Sequence, residues 1–272
     1  VEQLSAKIQP HGLKKRLLAD GSYEELPLSA VPQETQNFMP PLTLEEFETV
    51  YGRVRSISSL PRSRDKRNIH WFNEVADGKI TLDEFIAQLP DAAICDLVGG
   101  QPNLGVANTC GFGNLLEYGV PNAMTADGPA GVRINRECGV FTTAFPCSTQ
   151  ICCTWDPQIA YAVGEAGAKE LKENNLAIWL TPAINIHRSP LCGRNFEYYS
   201  EDPLISGMFA AANVKGVQSQ NIAATVKHFC CNNKEMGRLT SDSRVSERAL
   251  REIYLRGFEI VVKKAKPWAL MT

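Results

Sequence analysis

Asp127, Arg194, the adjacent pair Lys227-His228 and Arg238 are the residues of this chain whose types and spacing point to chemistry. Asp127 follows a short apolar run, Lys227-His228 ends another, and Arg194 and Arg238 lie in the polar segments beyond such runs. A carboxylate accepts hydrogen bonds, ammonium and guanidinium groups donate them, and an imidazole can do either. Converging on one small volume, such a set would grip a ring rich in hydroxyls, such as a pyranose. The plainer alternative is that each charge ties a strand end to a helix. For an isolated Asp or Arg the two readings weigh equally, and convergence on one barrel face separates them.

The elements that must position these residues are legible after Asn73, where short apolar runs alternate with amphipathic stretches, the pattern of repeated β-α units and a parallel sheet. Residues 122–126, 142–147, 177–181, 223–227 and 268–272 are predicted strands. Leu204, Met208, Ala211, Val214 and Val217 form one helical stripe, and Leu250, Ile253, Tyr254, Gly257 and Val261 another. Asp156-Pro157 and Asp202-Pro203 each read as an N-cap carboxylate before a first-turn proline. Leu180 to Val226 spans 46 positions and Val226 to Leu270 spans 44, more than a minimal β-α unit of about 30 residues needs, so the excess falls in the loops after the strands. The fold class is α/β, an incomplete (β/α)8 barrel (TIM barrel) lacking three strands, with residues 73–272 as its amino-terminal portion. Residues 1–30, where two apolar runs flank Asp20-Gly21, read as the end of an upstream β domain, and the proline-bearing residues 31–72 as a linker.

Four motifs in order resemble glycoside hydrolase family 3. They are Asp127-Gly128-Pro129-Ala130-Gly131-Val132-Arg133, Gly193-Arg194-Asn195-Phe196-Glu197 with Ser200-Glu201-Asp202-Pro203, Lys227-His228-Phe229 with Asn232, and Ser246-Glu247-Arg248-Ala249-Leu250-Arg251-Glu252. The resemblance covers roughly residue 80 to the end. It implies a retaining enzyme acting on terminal β-linked glucose or a related β-glycoside, with Asp127, Arg194, Lys227 and His228 binding the sugar and Arg238 and Met271 lining the same subsite. In that reading Asp127 accepts from sugar hydroxyls, Lys227 and His228 donate, and Glu197 orients Arg194. The family's Asp nucleophile lies beyond Thr272, and the early hairpin resembles the end of a fibronectin III-like domain, as in members whose other domains come first. The acid/base Glu then lies upstream of Val1, no catalytic carboxylate falls inside the chain, and the isolated 272-residue chain is expected to hydrolyse nothing.

Two other readings stay open at this point. Lys227 at a strand end could form a Schiff base as in an aldolase, and a chain with a sugar subsite alone could be a non-catalytic carbohydrate-binding or degenerate protein. The expected partner is a β-glucoside or oligosaccharide, and homo-oligomerisation is left open. A net charge of -2 gives no reason to expect nucleic acid, and no run of roughly 18 apolar residues suggests a membrane span. Nine cysteines without metal-ligand spacing, two pairs of them adjacent, suggest reduced thiols and a cytoplasmic location, and no metal or cofactor is called for. Asn73 to Glu84 only superficially resembles a calcium loop, and Thr81 with Glu84 reads better as a capping box. His187-Arg188 is read as a structural loop pair, Trp155 and Trp179 as packing residues, and Tyr198 or Tyr199 as an aromatic platform for a sugar.

Overall fold

Several helices here begin where a side chain accepts from the unpaired N–H groups of the first turn. Asp202 Oδ1 accepts from the Leu204 and Ile205 N–H at 2.7 and 2.9 Å, and Asp156 Oδ1 from the Gln158 N–H at 2.9 Å. Thr81 and Glu84 form the expected capping box, the Thr81 N–H donating to Glu84 Oε2 at 2.7 Å and the Glu84 N–H to Thr81 Oγ1 at 3.2 Å.

The computed structural model describes residues 15–17, 22–25, 69–101, 106–135 and 138–272. The chain divides into two compact units, residues 2–59 and residues 60–272. In the first, strands β1 (Lys15–Leu17) and β2 (Tyr23–Glu25) pair antiparallel, Lys15 opposite Glu25 and Leu17 opposite Tyr23. This is the hairpin predicted around Asp20-Gly21, although the turn itself and nearly all of the predicted linker lie outside the described residues.

The larger unit opens with helices α1 (Phe72–Ala76), α2 (Leu82–Ala87) and α3 (Asp91–Val98). Phe85, Leu89 and Ala93 form a small core with Leu115 of the hairpin β3 (Gly111–Leu115) and β4 (Val120–Ala126). Then follow α4 (Ser148–Cys152), α5 (Pro157–Glu173), β5 (Ile178–Trp179), α6 (Pro203–Gln218), β6 (Ala223–Lys227), α7 (Glu247–Ala249), a π-helical turn (Leu250–Tyr254), α8 (Arg256–Ala265) and β7 (Ala269–Met271). The sheet order is β3-β4-β5-β6-β7, with β3 antiparallel to β4 and the four strands from β4 to β7 parallel. It curls as part of a (β/α)8-type barrel. Ala126, Trp179, Ala224 and Val226 of the strands join Leu171 of α5, Phe209, Val214 and Val217 of α6, and Phe258 and Val261 of α8 in one buried core.

Helices α5 and α6 touch backbone to backbone. A Cβ on Gly164 would lie 2.4 Å from Asn213 O, and one on Gly216 only 2.1 Å from Tyr161 O. Trp179 fills the space beneath α5, its indole fully buried, where a Cβ on Gly167 would meet the ring at 2.1 Å.

Several expectations are corrected here. Residues 142–147 form no strand: the Phe145 N–H donates to Ala130 O, Thr142 Oγ1 donates to Val132 O at 2.6 Å, and Glu170 takes the Thr143 N–H at 3.0 Å. Those partners lie in a loop and a helix, and Pro146 offers no N–H to a ladder. Strand β3 was not foreseen, because Gly111, Gly113 and Asn114, the last two with φ of 85° and 61°, read as loop residues. Of the first helical stripe, Leu204 and Met208 are exposed while Ala211, Val214 and Val217 are buried. Trp155 is exposed rather than packed.

Gly216→Ala is expected to lower the unfolding free energy by about 1–3 kcal/mol, as overpacking of a close contact does. Urea unfolding followed by circular dichroism checks this, and an unchanged midpoint would contradict the backbone contact.

Candidate functional site

Asp127 comes directly after β4, and the turn behind it depends on glycine. Gly128 has φ 114° and Gly131 φ 140°, and a Cβ on Gly128 would sit 1.9 Å from Gly131 O. Asn108 Oδ1 accepts from the Asp127 N–H at 3.0 Å, and Trp179 Nε1 donates to Gly128 O at 3.1 Å, so β5 buttresses the same turn. The Asp127 side chain is thereby aimed across the sheet.

There it meets Lys227, the last residue of β6. Lys227 Nζ donates to Asp127 Oδ1 at 2.5 Å, and Arg133 Nη1 to Asp127 Oδ2 at 3.1 Å. Burial alone would raise the Asp127 pKa, but the Lys227 ammonium, then the Gly128 N–H and Arg133, outweigh it and hold the carboxyl below its ordinary value. Burial pulls Lys227 below its own ordinary value, and Asp127, the main opposing influence, offsets this only in part. With the carboxylate ionised, the pair is a charged one, and Lys227 is almost wholly shut from solvent, its side chain 2% exposed.

His228 follows immediately. Burial, with Arg194 and Lys227 nearby, lowers its pKa to about 3, so the ring is neutral at physiological pH. Asn185 Oδ1 accepts from the His228 N–H at 2.9 Å and lies 3.3 Å from Nδ1, while Asn185 Nδ2 donates to His228 O at 2.9 Å. An amide oxygen only accepts, which selects the tautomer with hydrogen on Nδ1. In that tautomer Nε2 is left as an acceptor.

Arg194 stands at the start of the short 3-10 turn Asn195–Glu197, and its Nε donates to Glu197 Oε1 at 2.5 Å. Burial opposes its charge, but Glu197 more than compensates and raises its pKa. The orienting role expected of Glu197 is what the geometry provides. Arg238 Nη1 donates to Glu235 Oε2 at 3.0 Å, and Glu235 Oε1 lies 3.9 Å from Arg194 Nη1, so one carboxylate spans both guanidinium groups. Asn232 Nδ2 steadies Glu235 from 3.2 Å.

All six residues singled out from the sequence, Asp127, Arg194, Lys227, His228, Arg238 and Met271, line one cavity of about 610 Å³. Its floor is the carboxyl ends of the parallel strands, where (β/α)8 folds carry their sites. Asn108, Thr109, Arg133, Leu180, Phe196, Glu197 and Glu235 complete the lining. Sequence reasoning did not single out Arg133 and Glu235 as site residues. Arg133 closes the same motif that begins at Asp127, and Glu235 sits three residues before Arg238 as an opposite charge, so both carried a signal. Tyr198 and Tyr199 are buried and cannot present a face to a sugar; the aromatic ring at the cavity is Phe196. His187 and Arg188 are structural, as expected. His187 Nε2 lies 2.8 and 3.0 Å from the carbonyls of Asn195 and Tyr198, and Arg188 Nε donates to Tyr254 Oη at 2.9 Å.

A curled parallel sheet flanked by helices, with a polar cavity at its carboxyl ends, defines part of a (β/α)8-barrel enzyme domain. Residues 114–272 match the family described as Glycosyl hydrolase family 3 N terminal domain, and the chain belongs to that family. It is 55% identical to Beta-glucosidase A of Butyrivibrio fibrisolvens over 99% of its own length, but spans only 33% of that protein. Among solved structures it resembles a β-glucosidase from Paenibacillus barengoltzii, with TM-score 0.74 and 38% identity over 94% of this chain and 27% of that one. It also resembles β-glucosidase 3B from Thermotoga neapolitana in complex with α-D-glucose, with TM-score 0.65 and 46% identity over 69% of this chain and 28% of that one.

The neutral His228 has a consequence for acid stability. Its ordinary pKa of 6.5 applies to the unfolded chain and about 3 to the folded one, so between those values only the unfolded chain takes up the proton. Stability is expected to be full above about pH 6.5 and to fall progressively toward pH 3. His228→Gln should flatten that decline in urea unfolding measured from pH 7 down to about pH 4; parallel curves for the two proteins would contradict the assignment.

Proposed function

We propose that this chain supplies the sugar-binding half of a retaining β-glucosidase, or of a related β-glycoside hydrolase, whose catalytic carboxylates lie outside residues 1–272. The observation that carries this reading is the Asp127 carboxylate, held between Lys227 and Arg133 in a cavity that also presents His228, Arg194 and Arg238. One group of acceptors and several donors face the same volume, as a pyranose ring requires. Asp127 accepts from the sugar's hydroxyls, Lys227 and the arginines donate, and His228 Nε2 accepts. Asp127, Glu197 and Glu235 are each engaged by a cation, so none stands ready as a proton donor. Retaining chemistry needs a nucleophilic carboxylate and an acid/base carboxylate about 5–5.5 Å apart. In this reading both come from further chain, with the hairpin β1–β2 belonging to an upstream fibronectin III-like domain.

The β-glucosidase names of the relatives support the substrate class, and the glucose-bound Thermotoga structure supports a sugar as the ligand. The Asp127 carboxylate favours the ammonium form of Lys227 and so weighs against Schiff-base attack, while burial acts the other way. The nine free thiols support a cytoplasmic setting.

The test is turnover of a panel of aryl β-glycosides by the protein extended to its natural ends. Asp127→Asn, close to isosteric, is expected to lower kcat/KM by about 100-fold or more, the scale of losing one preorganised transition-state contact. Asp127→Ala should do the same, but it also leaves Lys227 buried without a partner at a cost of about 3–5 kcal/mol, so its folding is checked by circular dichroism. Glucose binding without turnover on any glycoside would move the protein to the carbohydrate-binding reading. Undiminished turnover in Asp127→Asn would remove Asp127 from the site.

A further inference from the structure

Two thiols lie in contact just beyond His228. Cys230 Sγ and Cys231 Sγ are 3.7 Å apart, Cys231 buried and Cys230 partly so. Cys231 has φ 61°, a left-handed conformation that a non-glycine residue keeps only when its surroundings hold it there. Those surroundings are specific. The Cys231 side chain packs in a small core with Ile186 and Tyr254, and its carbonyl accepts from the Asn233 N–H at 2.9 Å and from Ser243 Oγ at 3.3 Å. The pair is thus clamped in an orientation that brings its sulfurs together.

The same segment is wired to the cavity at both ends. His228 precedes it, and Asn232 follows. Asn232 Nδ2 donates to Tyr198 Oη at 3.0 Å and to Glu235 Oε1 at 3.2 Å, and Glu235 holds Arg238 and faces Arg194.

We propose that Cys230 and Cys231 form an oxidation site at which a hydroperoxide converts the dithiol to a vicinal disulfide, and that this bond shifts the His228 and Asn232 ends of the cavity wall. The chemistry balances on these two residues and one peroxide. Cys230, the more exposed sulfur, attacks a peroxide oxygen; the O–O bond breaks, the departing oxygen takes a proton and leaves as water (or an alcohol from an organic hydroperoxide), and a sulfenic acid remains. The Cys231 sulfur then displaces the sulfenic oxygen, which leaves as water with the Cys231 proton. Two thiols are oxidised by two electrons and the peroxide is reduced by two. Burial pushes the Cys231 thiol up to about 12, which favours Cys230 as the first sulfur to react. Any effect on sugar binding rests on the function proposed above, whereas the oxidation and the movement of the wall do not.

The experiment treats the full chain with hydrogen peroxide, alkylates it, and maps its peptides by tandem mass spectrometry. The peptide carrying Cys230 and Cys231 is expected to lose two hydrogens, to resist alkylation, and to recover both thiols with dithiothreitol. The imidazole proton resonances of His228, assigned by comparison with His228→Gln among the four histidines, are expected to shift on oxidation and return on reduction. Cys230→Ser should abolish both responses. Alkylation of Cys230 and Cys231 as in the untreated protein, a bridge to another cysteine such as Cys153, or simple addition of oxygen would overturn the site. A disulfide with an unmoved His228 spectrum would overturn the coupling.

Discussion

A lysine ammonium at the end of a buried strand must be answered by a negative charge, and in this protein the answer comes from across the sheet. Lys227 ends β6 and Asp127 follows β4, with β5 between them. In a flat sheet two strands so placed stand about 9.5 Å apart, twice the usual spacing. The 2.5 Å contact between their ends spans that distance because both side chains reach over the intervening strand and the sheet is curled. The rest of the site depends on that contact. The glycines behind Asp127 set its direction, Asn108 and Trp179 fix the turn, and Arg133 takes the second carboxylate oxygen. Removing either partner of such a pair leaves the other buried and uncompensated, which is far more costly than the net worth of the pair itself.

The electrostatics of the cavity follow from the same constraint. Four cations and three carboxylates line it, and they are arranged in pairs: Lys227 and Arg133 on Asp127, Arg194 on Glu197, Arg238 on Glu235. In this company an imidazolium would face three neighbouring cations, Arg194, Lys227 and Arg238, and His228 stays neutral. A pocket built this way is preorganised: its dipoles and charges are already oriented before a ligand arrives, and they hold one another in place without it. Glu235 is the joint between the loop after β6 and the loop carrying Arg194, which is why the Cys230-Cys231 segment, two steps away through Asn232, can reach the cavity.

Much of this was legible in the sequence because the informative residues sit at strand ends, where an apolar run meets a charge. Residues 223–227 were read as a strand and are β6; residues 177–181 and 268–272 contain β5 and β7. The Asp-Pro caps were equally plain, since each needs only local chemistry. Residues 142–147 failed for the opposite reason: the run is apolar, but its hydrogen bonds go to Glu170 and to the loop of Ala130 and Val132, which no local pattern records. Strand β3 was hidden by glycines that the hairpin needs. In the site, the convergence of Asp127, Arg194, Lys227 and His228 was anticipated through the family resemblance, whereas the tautomer of His228 was not, because it is set by Asn185, far away in sequence. The burial of Tyr198 likewise depends on its contacts with Asn232, and helical or strand periodicity carries no trace of them.

The measurement that tests the account most directly is a crystal structure of the natural-length protein with glucose bound. The account predicts a pyranose ring in the cavity at the carboxyl ends of β4, β6 and β7, with its hydroxyls on the Asp127 carboxylate and Lys227 Nζ, and His228 Nε2 accepting from a third. A sugar bound elsewhere, with the Asp127–Lys227 pair and its cavity left empty, would contradict it.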